Sequence, residues 1–371
     1  GAASRQRISA AQFGALPPSI QTQQYQSSFS AAVDASWDLD LFGRLRASGR
    51  ASAARLDAAT ADANAVRLAL ITDIATAIAD VREVDQRAAL IGRDVQSARA
   101  LAEITGVRAR AGLVPTSDEV RAQSLEAQAG ARMESIAGER AEVIGRLVTL
   151  TGLPAQNVLA ALEQGAPDAA PARPDSAAPS IPTTVLRQRP DVIAAERRLA
   201  AADAEIAAAA ADRFPTFSLT AGLGLISLAL GDLLTQDAII GSLGGAVSGP
   251  LFDFGRVGAR IDQRQAEARE AFASYRKTLF AALGETEAAL GGLRAATRNA
   301  DAVARQAELD RDAAELARER YRRGLTNFLT VLDAERTSLA SGQAAAIADS
   351  EVSLRKISLY RAVGGGVTQA Q

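Results

Sequence analysis

The sequence predicts a mainly helical chain that carries four amphipathic β-strands and is built from two copies of one unit. Three observations predict it. Proline-free runs of good helix formers follow Phe42 and Phe254, three stretches alternate apolar and polar residues, and landmarks recur at a fixed spacing. Phe42-Gly43-Arg44 returns as Phe254-Gly255-Arg256, an offset of 212 (254 − 42), and Gly112-Leu113 returns as Gly324-Leu325. Leu147 and Gly152 match Leu359 and Gly364 at the same offset; Arg82, Glu103, Arg108 and Arg110 match Arg294, Glu315, Arg320 and Arg322. A shared register without gaps over that span marks a duplication. The second copy opens near Pro190, so the first lacks its opening helix and most of its first strand. Gly1 is therefore expected not to be the biological N-terminus.

The elements follow in order. Residues 1–41 hold the strands of the first copy, the first strand incomplete. From Phe29 to Leu41 every odd position is apolar, including Trp37, while Asp34, Asp38 and Asp40 stand on the other face. Residues 42–152 read as a long helical hairpin turning at Gly112-Leu113, with a shorter return helix over 115–150. Heptad-like spacing of Ile71, Ile74, Ile78, Val81, Ala88 and Val95 suggests an antiparallel coiled-coil seam. A Pro/Ala-rich connector spans 153–189.

In the second copy, Pro190-Asp191 opens a helix assigned to 190–214, with Asp191 in the favoured first turn. Residues 215–253 supply two more alternating runs. Phe217, Leu219, Ala221, Leu223 and Leu225 mark one; Ile239, Leu243, Val247 and Leu251 mark the other. Residues 254–364 repeat the hairpin, with Leu279, Leu283, Leu290 and Leu293 and then Ala300, Ala304 and Ala307 as its seam. Residues 365–371 form a tail. A helix of about 70 residues is about 100 Å long, far more than a globular domain of this size needs.

Composition removes most chemistry. The chain of 371 residues has neither Cys nor His, and 41 Lys+Arg stand against 43 Asp+Glu. Thiol nucleophiles, disulfides, zinc sites and imidazole bases are excluded, no catalytic residue or cofactor is assigned, and nothing points to nucleic acid. No window reaches the unbroken apolar length of a membrane-spanning helix; the best, 219–231, is short and interrupted by glycine. Helix content alone fits a soluble coiled-coil scaffold. The strands argue otherwise. Each is long enough to cross a bilayer when tilted, four cannot close a barrel, and an open amphipathic sheet leaves its edges and greasy face uncovered. Three chains would supply twelve strands and a closed wall. Asp34, Asp38 and Asp40 would then face an aqueous lumen, with Trp37 near the membrane interface.

Several segments carry a specific resemblance. LRQRPDVIAAERRLAAADAEIAAAAADRFPTFSL (186–219) resembles the signature of the NodT/OprM branch of the TolC-like outer-membrane factors. WDLDLFGRLRA, GPLFDFGR (249–256), YRRGLTNFLTVLDAERTSL (321–339) and LYRAVGGG (359–366) are similar to that family in the family's own order. The resemblance implies a homotrimer in the outer membrane of a Gram-negative bacterium. Its protomers would share one β-barrel embedded in outer-membrane lipid, and their helices would form a periplasmic α-barrel. It further implies a non-enzymatic exit duct that serves a periplasmic adaptor and an inner-membrane transporter. Lipoprotein members carry an acylated N-terminal Cys that this sequence lacks. A duct for type I protein secretion and a periplasmic coiled-coil adaptor are the alternatives.

By the same resemblance, Asp333 with Thr330 would form the pore constriction, where three carboxylates repel anions and hold cations. Asp118 and Tyr321 would lock the hairpin tips, although Thr326 replaces the Arg that joins this lock in relatives. The tips would receive the adaptor through Gly112, Leu113, Val114, Gly324, Leu325 and Thr326. Arg108, Arg110, Arg320, Arg322 and Arg323 cluster beside them, read either as solvated helix-end charges or as adaptor-facing.

Overall fold

The computed structural model describes residues 2–7, 25–164 and 187–365. The proline-rich part of the connector and the tail from 366 onward lie outside the described residues. The elements are β1 (Ala2–Arg7), β2 (Tyr25–Leu39), α1 (Arg44–Arg110), α2 (Thr116–Thr151), α3 (Ala155–Gln164), α4 (Pro190–Ala211), β3 (Thr216–Ser227), β4 (Ile239–Ser248), α5 (Arg256–Arg322) and α6 (Phe328–Ala362). Two compact units result: Gly1–Leu56 with Arg197–Ala273, and Asp57–Glu196 with Ser274–Gln371.

The first unit contains one antiparallel sheet in the order β1-β2-β3-β4. Its register sets Val33 opposite Leu223, Ala35 opposite Ala221 and Trp37 opposite Leu219. Phe217 lies opposite Val247 and Ala221 opposite Leu243. Because side chains alternate along a strand, the apolar positions of three strands coincide on one face, and Asp34, Ser218, Thr220 and Ser242 share the other. The glycine at 222 has a local reason: a Cβ there would lie 2.8 Å from Asp34 Oδ1 and 2.9 Å from Ser242 Oγ.

Where strands become helices, carboxylates take the first free amides. Asp40 lies beyond the end of β2, and its side chain accepts from Leu45 N at 3.0 Å and Arg46 N at 2.8 Å. Asp253 accepts from Gly255 N at 3.1 Å and Val257 N at 3.0 Å, at the matching junction. Such capping satisfies helix N-terminal donors that have no partner within the helix. Desolvation would raise the Asp40 carboxyl, but the Arg46 and Leu45 amides and the Arg46 charge outweigh it and hold it below the ordinary range. Asp40 thus belongs to a helix cap. It does not stand on the strand face with Asp34 and Asp38, because the alternation stops at Leu39.

The second unit is helical. Ion pairs between α1 and α2 set the hairpin register: Asp80–Arg146 at 3.1 Å, Asp85–Arg140 at 2.7 Å, Arg87–Glu139 at 2.9 Å and Asp94–Arg132 at 2.8 Å. The two members of each pair lie at equal distances along the chain from Leu113, to within one residue. Ile74, Ile78 and Val81 pack with Leu147 as the spacing predicts, whereas Ile71 is exposed.

Two further expectations change. The connector contains a helix, α3, whose Val158 and Leu162 pack on the α1–α2 core one turn apart. Pro154 starts it, its carbonyl accepting from Asn157 N at 2.9 Å. In α5 the buried seam is Ala282, Thr286 and Ala289, while Leu283 is exposed. Small residues let α5 approach its neighbours closely; Leu279 packs beside Ala282, Leu290 and Leu293 are half-buried, and Leu283, Leu309 and Leu316 are left uncovered by this chain.

Candidate functional site

Both hairpin turns are built alike. Gly112 and Gly324 take φ of 70° and 74°, which residues with a Cβ adopt only with strain. At the first turn, Leu113 N donates to Arg108 O at 2.9 Å and Gly112 N to Ala109 O at 3.0 Å; at the second, Leu325 N donates to Arg320 O at 2.8 Å and Gly324 N to Tyr321 O at 2.9 Å. These paired bonds close the helix ends and use up their last carbonyls. The leucine after each glycine would normally pack back on its helix. Here Leu113 and Leu325 are 73% and 63% exposed, so both turns present bare apolar tips. Val114 and Thr326 beside them are half-buried.

Beneath the turns, all four hairpin helices contribute to one core: Leu101 from α1, Ala122 and Leu125 from α2, Tyr321 from α5, and Phe328 and Val331 from α6. Tyr321 meets Phe328 edge to face at 6.2 Å. Its hydroxyl lies 3.4 Å from Thr105 Oγ1, and Thr105 donates to Leu101 O at 2.7 Å. The Arg108 guanidinium stands 4.8 Å over the Tyr321 ring and donates to Tyr321 O at 3.0 Å and Arg322 O at 2.9 Å. Arg108 is therefore taken up within the chain, a cation on the C-terminal carbonyls of α5. Arg322 and Arg323 pair with Glu319 at 3.3 and 2.7 Å.

The expected Asp118–Tyr321 tie is not made between the described residues of this chain. Asp118 sits in the first turn of α2 beside Arg121, at 3.6 Å. Tyr321 is held instead by Thr105 and Arg108, because its ring is buried in the core and its hydroxyl points back along α1. No signal in the sequence singled out Thr105. Arg108 was legible only as one member of a basic cluster.

Asp333 and Thr330 lie one turn apart on the exposed side of α6. The Thr330 amide and hydroxyl both donate to Asn327 Oδ1, at 3.0 and 2.9 Å, so Asn327 caps the helix and fixes Thr330. Opposite this face, a partly buried charge cluster joins four helices. Glu335 Oε1 lies 2.7 Å from Arg318 Nε without an aligned hydrogen bond, and Arg318 also reaches Ser97. Asp94 pairs with Arg132 close by. Burial pushes both carboxyls above their ordinary range; Arg318 pulls Glu335 down and Asp94 adds to its rise, while Arg132 opposes the shift at Asp94.

On the sheet, the apolar face is uncovered: Val33, Leu223 and Leu243 are 77%, 66% and 77% exposed, and Trp37 stands among them. Among the described residues no helix is long and apolar enough to cross a membrane, and no group of three or more acidic side chains is placed to hold a metal.

Comparison with known proteins agrees over nearly the whole chain. The family described as outer membrane efflux protein matches residues 1–153 and 181–365. Outer membrane protein OprJ of Pseudomonas aeruginosa is 30% identical over 330 residues, 89% of this chain and 68% of that protein. Nodulation protein T of Rhizobium leguminosarum bv. trifolii is 29% identical, over 94% of this chain and 74% of its own. The solved structure of the outer-membrane channel OprN superimposes with a TM-score of 0.83 at 31% identity, covering 98% of this chain and 80% of that one.

Proposed function

Because the chain belongs to the outer membrane efflux protein family, in its NodT/OprM branch, we propose that three copies form the passive exit duct of a tripartite efflux pump. Family membership places the protein in the outer membrane of a Gram-negative bacterium, in a family of channels rather than enzymes.

One observation carries the trimer. The sheet has an exposed apolar face, a polar face and two edge strands, β1 and β4. Exposed apolar surface on this scale and unpaired strand edges are costly in water. Pairing β4 of one copy with β1 of the next satisfies both edges and turns the apolar face to lipid. Twelve strands then close around a lumen lined by Asp34 and Asp38. The matching lengths and caps of α1 and α5 support the duplication, and the uncovered apolar positions Leu56, Leu283 and Leu316 support packing of the helices against neighbouring copies.

In this reading the tip residues Gly112, Leu113, Val114, Gly324, Leu325 and Thr326 receive a periplasmic adaptor, which links the duct to an inner-membrane transporter. Asp333 forms the constriction ring with Thr330 one turn away. The tip core of Tyr321, Thr105 and Arg108 ties the two hairpins of one copy and resists opening. The cargo is small molecules, consistent with the efflux family rather than protein secretion.

Planar-bilayer conductance tests the proposal. Wild type should form trimeric pores of low, cation-favouring conductance, and Asp333→Ala should conduct more and lose cation preference. Failure to form any pore overturns the duct. Unchanged selectivity overturns only the Asp333 ring.

A further inference from the structure

Just beyond the sheet, in the same unit, the first turns of α1 and α5 and the last turns of α4 enclose an open cleft of 210 Å³. Four guanidinium groups line it, from Arg44, Arg55, Arg260 and Arg264, against two carboxylates, Glu205 and Asp212. The carboxylates are already engaged. Glu205 pairs with Arg55 and with Arg264 at 2.8 Å, and Asp212 pairs with Arg260 at 3.1 Å. Arg44 has no ion pair among the described residues. Arg264 also pairs with Glu267 at 2.6 Å, so three carboxylates answer four guanidinium groups and the charge of Arg44 is left over.

Arg44 also lines the adjoining hollow, where Asp38 and Asp40 stand beside Leu39, Leu45 and Phe217, and Phe42 stacks on Phe214 with ring centroids 4.5 Å apart and planes 12° from parallel. Each segment that crosses this region follows one order. Leu39 ends β2, then come Phe42 and Arg44; Val247 nears the end of β4, then come Phe254 and Arg260; backward from Phe217 come Phe214 and Asp212. Apolar strand gives way to an aromatic residue and then to the charged cleft, over 5 residues in the first and third segments (44 − 39, 217 − 212) and 13 in the second (260 − 247). A glycerophospholipid has the same order along its length: acyl chain, glycerol ester, phosphodiester. Aromatic rings favour the ester level, and guanidinium groups are suited to phosphate oxygens.

We propose that this cleft binds the phosphodiester of an anionic glycerophospholipid, with Arg44 on the phosphate and the acyl chains rising past the Phe42–Phe214 stack onto the apolar sheet face. The inference rests on the lipid-facing reading of the sheet. It adds a defined headgroup site at the junction where the barrel strands become helices. Bound lipid there neutralises the excess charge and fixes the height of the barrel in the membrane.

Native mass spectrometry of the full chain purified in detergent tests it, with phosphatidylglycerol as probe and phosphatidylcholine as comparison. Wild type should retain phosphatidylglycerol preferentially. Arg44→Gln should weaken that retention about tenfold, a loss typical of one charge-assisted contact. Arg44→Lys should keep most of it, and Arg50→Gln, exposed on the same helix outside the cleft, should match wild type. Equal retention by Arg44→Gln overturns the site. Displacement of the lipid by millimolar inorganic phosphate overturns the lipid assignment in favour of a free-anion site. Trp37, the only tryptophan, separates this result from the reading beneath it. Brominated phospholipid in reconstituted bilayers should quench its fluorescence in wild type and in Arg44→Gln alike. An unquenched Trp37 refutes the lipid-facing sheet, whereas quenching with unaltered retention refutes the headgroup site alone.

Discussion

Replacing Arg189 with Gln should loosen the closure of the second helical unit. Arg189 is the last residue of the connector and precedes the first turn of α4, and its side chain is only 9% exposed. Nε and Nη2 donate in a fork to Asp191 Oδ1 and Oδ2 at 3.1 and 2.8 Å; Nη2 also donates to Glu285 Oε2 at 2.7 Å. Nη1 donates to Ala362 O at 2.9 Å, the last carbonyl of α6. One guanidinium therefore ties the start of α4, the middle of α5 and the end of α6. Removing one member of a fully buried ion pair costs about 3–5 kcal/mol. The Asp191 and Glu285 side chains are 42% and 60% exposed and will rehydrate, and Thr286 Oγ1 still donates to Ala362 O at 3.2 Å. We therefore expect about 2–3 kcal/mol, after discounting the exposed carboxylates for solvent screening.

Thermal melting and amide exchange of the C-terminal turn of α6 measure that loss. Acidification provides a second reading. Burial acts to raise the Asp191 carboxyl, but the hydrogen bonds and charge of Arg189 outweigh it and hold it below 3.8. The folded state binds that proton less tightly than the unfolded one. The stabilisation is thus full above the unfolded value and is lost as pH falls through the folded one. Arg189→Gln should narrow its gap to wild type in that acid range. A variant within about 0.5 kcal/mol of wild type at neutral pH, the scatter of ordinary surface changes, would show that the clamp is ornamental.

Glu335→Gln should behave in the opposite sense. Because burial raises the Glu335 carboxyl above 4.5, the folded state holds its proton more tightly, and stability falls as pH rises from the unfolded value to the raised one. The variant should gain on wild type as pH rises from the unfolded carboxyl value through the raised folded one; a constant gap between the two melting curves across that rise would refute the assignment. On the sheet, Gly224→Ala should cost about 1–3 kcal/mol, since its Cβ would lie 2.9 Å from the Ala31 carbonyl oxygen and 2.8 Å from Ala32 Cβ. Gly222→Ala should cost less, because its obstacles are the movable ends of Asp34 and Ser242. Thermal melting of the two variants in detergent ranks them, and the reverse order would refute the register argument.

Much of the fold is written in local pattern. The period of two from Phe29 to Leu39 declares a strand with one apolar face, and Gly112 and Gly324 declare their turns, because few other residues tolerate the backbone that such turns require. The 212-residue offset links the two Phe-Gly-Arg junctions before any coordinates are known. The limits of sequence reading are equally physical. Asp40 continues the alternation as text, yet its carboxylate is claimed by the open amides of α1, a competition that depends on where the strand stops. Helix α3 is only ten residues long, too short to be stable alone, and it exists because Val158 and Leu162 find the α1–α2 core.

The tip core divides along the same line. Sequence determined that a tyrosine, an acid and a basic cluster lie near the turns, since chain position alone fixes their distance from the glycines. Only tertiary structure decided that Tyr321 belongs to Thr105 and Arg108 while Asp118 turns to Arg121. Which helix face meets which neighbour depends on the angle between hairpins, and no single-helix periodicity carries that angle. The same reason explains why α5 buries Ala282 and Ala289 while Leu283 and Leu316 stay exposed. Periodicity marks two apolar faces on that helix, and only packing selects the one that this chain covers.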